Sequence, residues 1–300
     1  MQSSEEKIHN PKLLNNQPDY NDTDQLSMVV LGSGSRGNAY YIWNRDTSVL
    51  IDCGLSTKQI LLRLEKVGIL HPQVDAVFIT HEHTDHVSSC AILEKRLNRL
   101  GQQPTFYMSP GTFCAAPEKC LPKKVSLIRD LEIVQIGSVL VEAFEVPHDG
   151  TECLGYRVGY NGHWAGVITD LGDVTDVVID KMRTMTTMAF EFNHDVHMLQ
   201  NGSYPLQVQE RILDWSGHLS NDQAAEALER SVSPRLQHLI LAHISEQNNC
   251  PALAESIARN VLERSCHTDL VHLHVAEQNN PSPIFTVDQK PKMVLPTALI

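Results

Sequence analysis

The chain has no Cys-x-x-Cys pair, and its 7 cysteines, an odd number, are scattered through 300 residues. That disfavours both a disulfide scaffold and a thiolate-ligated structural zinc. Long apolar runs are also missing. None approaches the roughly 18 residues that a membrane-spanning helix needs. Aromatic residues make up only 6%, and Lys plus Arg (24) are outnumbered by Asp plus Glu (36), for a net charge of -12 and a pI near 5.6. This balance argues against a broad surface that coats nucleic acid, because phosphates are held by Lys and Arg. A local cationic groove or bound metal ions would still serve a polyanion. Residues 1–27 are polar, with Asn, Asp, Gln, Ser and two Pro, and lack the apolar core of a signal peptide. They are expected to form a flexible tail, with a second tail over 288–300 and one domain over 28–287. A cytoplasmic location is expected.

What the chain does have is 42% apolar residues, enough for an ordinary core, and the run His81-Glu82-His83-Thr84-Asp85-His86. Ahead of it, Ala76 to Thr80 is apolar and β-branched and reads as a buried strand. Behind it, Val87 to Leu100 reads as a helix closed by Gly101. The run therefore sits on a strand-to-helix loop. In a continuous helix His81 and His83 would point apart, whereas an irregular loop can turn all four side chains to one point. Imidazole and carboxylate donors suit zinc, manganese or iron. Two ions need more ligands than one loop supplies.

Further strands are expected at Met28–Leu31, Ala39–Trp43, Val49–Asp52, Thr105–Tyr107, Thr187–Phe192, His238–Ala242, Asp269–Val275 and Ile284–Val287. Hairpins are expected from Leu131–Ile136 to Val139–Val146, and from Leu154–Tyr160 to His163–Thr169 across Asn161-Gly162. Helices are expected at Thr57–Val67 between Ser56 and Gly68, at Asn221–Val232 behind a Ser220/Gln223 capping box, and at Pro251–Arg264. Both halves mix strands with outer helices, which fits an α/β architecture of two packed sheets.

The stretch Gly32-Ser33-Gly34-Ser35-Arg36-Gly37 has dinucleotide-binding spacing, with Asp52 downstream. The mechanism needs a helix directly after the glycines, and β-prone Ala39 to Trp43 follows instead. A tight turn that lets substrate or backbone approach closely is the better reading. Three other strands end in His148, Asp170 and His243, and sites gather at such ends. Beside the first motif, each becomes a candidate ligand. His194, in Glu191-Phe192-Asn193-His194-Asp195, reads equally as a solvated loop residue. His218, before the capped helix, reads equally as a helix-entry residue bonded to backbone.

Assembled in this order, the ligands resemble those of the metallo-β-lactamase-fold hydrolases over about Met28 to Val287. The likeness is strongest to the YycJ/WalJ branch, through Leu31 to Asn38, Asn193 to Val196, Gly217 to Asn221, Leu241 to Ser245 and Asn248-Asn249. The resemblance implies a four-layer αββα sandwich, a two-metal centre and 5′-to-3′ exonuclease action on DNA. Diiron relatives that reduce oxygen carry Glu at the second motif position; His83 stands here, so hydrolysis is favoured. Glu191 with Gly217-His218-Leu219-Ser220 is similar to a pair in the tRNA-maturing branch, which has Ser in place of Leu219. On this reading His81, His83 and His148 hold one divalent ion, Asp85, His86 and His243 the other, and Asp170 bridges. Zinc or manganese is expected, with iron as an alternative. Asp85 also orients the nucleophile. His218 or His194 protonates the leaving oxygen, with Glu191 steadying an imidazole. Ser33, Ser35, Asn38 and Asn193 are expected to face substrate. A thioesterase or lactonase would use the same ligands. A nonenzymatic regulatory protein is argued against by the complete ligand set, since structural zinc closes with four ligands.

Overall fold

A computed structural model describes residues 24–265 and 270–287. The expected tails fall mostly on residues 1–23 and 288–300, outside the described residues, as does Asp269 of an expected strand; the fold begins slightly earlier than expected, with Leu26 buried and Ser27 already in the first strand. Strand β1 (Ser27–Gly32), β2 (Ala39–Trp43) and β3 (Ser48–Ile51) form an antiparallel meander, and β4 (Ala76–Phe78), β5 (Thr105–Met108) and β6 (Val125–Leu127) join it in parallel. The second sheet repeats the scheme. Strands β7 (Ile133–Ile136), β8 (Val139–Glu145), β9 (Leu154–Tyr160) and β10 (His163–Ile168) are antiparallel; β11 (Thr187–Glu191), β12 (His238–Ala242) and β13 (His272–Val275) follow in parallel. Strand β14 (Phe285–Thr286) returns to pair with β1. The sheet orders are β14-β1-β2-β3-β4-β5-β6 and β13-β12-β11-β10-β9-β8-β7.

Period-2 alternation sends each strand's side chains to two different cores. Met28, Val30, Tyr40 and Ile42 face Val141, Tyr156, Val167 and Ile240 between the sheets. Their neighbours Val29, Leu31, Tyr41 and Leu50 pack outward on Ile60 and Leu64 of α1 (Thr57–Lys66) and Leu93 and Leu97 of α3 (Cys90–Arg99), which follows the one-turn α2 (Thr84–Val87). Across the molecule Phe190, Leu239 and Leu241 pack on α5 (Asp176–Met182), α8 (Asn221–Ser231) and α9 (Pro251–Arg264). These three cores separate four layers, the αββα sandwich that the sequence led us to expect. Burial on both faces explains why the strands read as continuous apolar runs.

Two local expectations change. The single helix over Val87–Leu100 is broken, because Ser89 N–H donates to the Cys53 carbonyl (3.0 Å) and Ser88 Oγ to that of Gly54 (3.0 Å). Those bonds pull the chain onto the β3–α1 loop and anchor the metal-motif turn. Four short helices were also not anticipated. They are α4 (Pro110–Ala115), capped by Ser109 with proline in its first turn, α5, α6 (Val196–Gln200) and α7 (Leu206–Leu213), which buries no side chain. The Gly32–Gly37 stretch leads into β2 with no helix behind it, as a turn rather than a dinucleotide site.

Candidate metal centre

The site lies where strands end. Past β3 comes Asp52 and past β4 comes His81; past β8, β10, β11 and β12 come His148, Asp170, Asn193 and His243. Asp52, Asp170 and His243 have φ of 60°, 60° and 52°. Left-handed backbone costs a non-glycine residue roughly 1–2 kcal/mol, and such strain collects where a side chain must be aimed.

One ligand group is all imidazole. His83 Nδ1 stands 3.1 Å from His81 Nε2 and 3.3 Å from His148 Nε2. The far nitrogens of two rings are committed elsewhere. Thr80 gives its hydroxyl hydrogen to Asp52, so its Oγ1 accepts from His81 Nδ1–H (2.9 Å), and His148 Nδ1–H donates to the Gly217 carbonyl (3.0 Å). The Nε2 lone pairs are thereby left facing inward. A tetrahedral ion with Zn–N near 2.0–2.1 Å has donor–donor edges of about 3.4 Å, close to these spacings. Burial holds the His81 and His148 imidazoles below the usual histidine range, so both are neutral and ready to ligate.

The second group mixes charges. Donor atoms of Asp85, His86, Asp170 and His243 lie within 4.8 Å of one another. His86 Nε2 is 3.4 Å from both Asp85 Oδ2 and Asp170 Oδ2. Asp170 Oδ2 and His243 Nε2 are buried without a hydrogen-bond partner, an arrangement that is costly unless a cation joins it. Burial opposes charge on His86 and His243. The surrounding carboxylates, Asp170 foremost, outweigh it, pushing His86 well above its ordinary value and His243 up to about 10. The same imidazoles hold Asp85 and Asp170 far down against their own burial. Asp170 also groups with His148 and His218, so it lies between the two ligand groups. Behind them, Asp52 accepts from His86 Nδ1–H (2.8 Å) and Thr80 N–H (2.9 Å).

Beside this centre opens a cavity of 220 Å³ whose walls include Ser35, Asn193, Arg211, His218 and Ser245. Glu191, fully buried, accepts from His218 Nδ1 (2.8 Å) and His243 Nδ1 (3.1 Å) on one oxygen and from Leu171 N–H (2.9 Å) on the other. The Nε2 of each ring is therefore the nitrogen left for the site.

A family model described as "Beta-lactamase superfamily domain" matches residues 47–244. The chain belongs to the beta-lactamase superfamily, in its metallo-β-lactamase fold. It is 32% identical to Exodeoxyribonuclease YycJ of Bacillus anthracis over 241 residues, 79% of this chain and 89% of that protein. It is also 32% identical to Exodeoxyribonuclease WalJ of Streptococcus pneumoniae, over 79% of this chain and 88% of that one. The solved metallo-beta-lactamase fold protein YhfI of Bacillus subtilis superposes with a TM-score of 0.66 at 16% identity, covering 88% of this chain and 100% of that one. Among the described residues, no helix is long and apolar enough to cross a membrane.

In this metallo-β-lactamase-fold hydrolase the seven anticipated ligands come together in two groups suited to a pair of metal ions. Other expectations shift. Ser33 and Asn38, expected to face substrate, are 3% and 0% exposed and stand behind the ligands. Ser33 Oγ accepts from His243 N–H (2.9 Å), and Asn38 Nδ2 reaches Asp85 Oδ2 (3.4 Å) and His86 Nε2 (3.1 Å). Ser35 and Asn193 do line the cavity. His194 is buried with neither ring nitrogen hydrogen-bonded, and burial lowers its pKa to about 4. It is not among the residues lining the cavity. Sequence reasoning missed Asp52, which follows a strand as Asp170 does, and Asp149, the neighbour of His148. Asp149 Oδ1 is 3.3 Å from His148 Nε2, and Asp149 pairs with Arg211.

Proposed function

We propose that this hydrolase is a two-metal phosphodiesterase that degrades DNA from its ends in the 5′-to-3′ direction. The observation that carries this reading is His218. Its Nδ1 is held by buried Glu191 at 2.8 Å, and its ring lies on the cavity wall beside both ligand groups. Phosphodiester cleavage expels an alkoxide, which needs a proton. A thioester expels a thiolate, which with a pKa near 8.5 needs little help. A rigid imidazole donor therefore favours phosphodiester chemistry over the thioesterase reading. The likeness to two exodeoxyribonucleases over most of their length supports DNA as the substrate.

His81, His83 and His148 would hold one divalent ion, Asp85, His86 and His243 the other, with Asp170 between them. Two such ions, zinc or manganese, would supply an activated water and neutralise charge on the scissile phosphate. Asp85 would orient the attacking water. Asn193 and Ser35 on the cavity wall bind phosphate oxygens. His218 Nε2–H donates its proton to the leaving oxygen, and Glu191 stabilises the charged imidazole before that transfer.

His218→Ala should lower kcat by roughly 10²–10⁴-fold with metals still bound, the range for a general acid. The loss should shrink on a nitrophenyl phosphodiester, whose leaving group needs no proton. The assay pairs end-labelled single- and double-stranded DNA and RNA with a thioester. Turnover of the thioester alone, or an equal loss on good and poor leaving groups, would overturn the reading.

A further inference from the structure

Trp215 is 69% exposed, the most open of the large apolar side chains among the described residues. Its backbone is nevertheless fixed. Asp214 Oδ1 accepts from Ser216 N–H (3.0 Å) and Oγ–H (2.7 Å), Gly217 N–H donates to the Asp214 carbonyl (2.8 Å), and a methyl group on Gly172 would sit 2.6 Å from the Trp215 carbonyl carbon. Two residues on, the Gly217 carbonyl holds His148. An exposed indole thus stands on a rigid ridge two residues from a contact to a candidate metal ligand.

The ridge lies between two pockets of unlike chemistry. The 220 Å³ cavity on one side offers Arg211, Ser35, Asn193 and His218, donors that suit phosphate, and its one carboxylate, Asp149, is paired with Arg211. The pocket on the other side, 390 Å³, is lined by His148, Val177 and Trp215, with Asp130, Glu145 and Glu152 also lining it. Carboxylates repel a phosphate. An indole face beside a valine accepts any planar ring, and the acidic edges add partners for the exocyclic amino groups of adenine, cytosine and guanine. His218 lines the first pocket and His148 the second, so a phosphorus atom at the centre would have one neighbour on each side.

We infer that Trp215 forms a nucleobase subsite, stacking the base next to the scissile phosphate while the Arg211 cavity takes the phosphate side. This rests on the phosphodiesterase reading above. Such stacking is sequence-tolerant because every base has a π-face, as digestion of arbitrary DNA requires.

The chain's three tryptophans make the test selective. Trp43 is buried, and Trp164 lies under the Arg157 guanidinium at 4.2 Å. A short phosphorothioate oligodeoxyadenylate added to the metal-loaded enzyme should quench fluorescence, and Trp215→Phe should remove that quench. Trp215→Ala should raise KM on oligonucleotide roughly 5- to 100-fold, the usual worth of one stacked base. kcat should hold, and so should turnover of methyl nitrophenyl phosphate, which has no base; Trp215→Phe should restore most of the affinity. No quench at saturation, an unchanged KM in Trp215→Ala, or an equal loss on both substrates would overturn the subsite. A quench with no cleavage of any oligonucleotide by the wild type would keep the subsite and reject the phosphodiesterase reading.

Discussion

The two ligand groups differ in how they are charged and how they are built. His81, His83 and His148 form a wholly imidazole group. Burial drives His81 and His148 toward the neutral form, so their Nε2 atoms are free to ligate at neutral pH. Asp85, His86, Asp170 and His243 form a group in which buried carboxylates keep protons on His86 and His243. Those protons occupy the place of a divalent charge, and an ion must displace them. The imidazole group thus resembles a ready socket of modest attraction. The carboxylate group attracts a cation more strongly and couples that attraction to pH. Asp170 touches both, which makes it the hinge of the comparison.

The largest expected effect follows from that position. Asp170→Ala should abolish hydrolysis, by roughly 10³-fold or more, because it removes several kcal/mol of charge complementarity at both ions. Asp85→Ala and His86→Ala should do nearly as much, with far-UV circular dichroism preserved because these residues lie on the one-turn α2 at the rim of the sheets, beyond the cores. Near-wild-type turnover in any of the three would break the assignment. A smaller effect is expected from Asp52→Asn, which weakens the acceptor for His86 Nδ1–H (2.8 Å). Loss of such an orienting carboxylate costs about 10–100-fold in metal affinity, and competition with a chromophoric chelator reads it directly. An unchanged affinity would mean that Asp52 merely ties Thr80 to the sheet.

The smallest effect tests the contrast itself. A raised pKa means the proton is held through neutral pH, so filling the carboxylate group should release about two protons. Affinity there should weaken by about tenfold per proton for each pH unit lost. Calorimetry in buffers of different ionisation enthalpy measures this release. His243→Ala should remove about one proton from it, while His148→Ala should leave it nearly intact. The reverse pattern would exchange the roles of the two groups.

The same contrast decided what could be read from sequence. The His81–His86 run is contiguous and follows an unmistakable strand, so it announces itself. His148, Asp170 and His243 carry no local pattern and became ligands only as a set of strand ends. Asp52 went unrecognised because it was weighed only within the dinucleotide spacing and set aside with it, although it exits β3 much as Asp170 exits β10. Ser33 and Asn38 were assigned to substrate on their place in a polar turn, and sequence cannot tell that a turn folds inward. The strands other than β6 were legible as short apolar, β-branched runs between turns, and the long helices from caps at Ser56 and Ser220. The short helices α5, α6 and α7 were not, since they span only 7, 5 and 8 residues and α7 has no buried face. The break at Ser88 and Ser89 depends on tertiary bonds to Cys53 and Gly54, which no local pattern encodes.

The central claim is that seven side chains from four segments hold two ions, one in each group. Elemental analysis of chain reconstituted with zinc or manganese and then desalted measures it most directly. Two ions per chain are predicted, falling to one in His148→Ala. A saturating value of one or zero in the wild type would contradict the account.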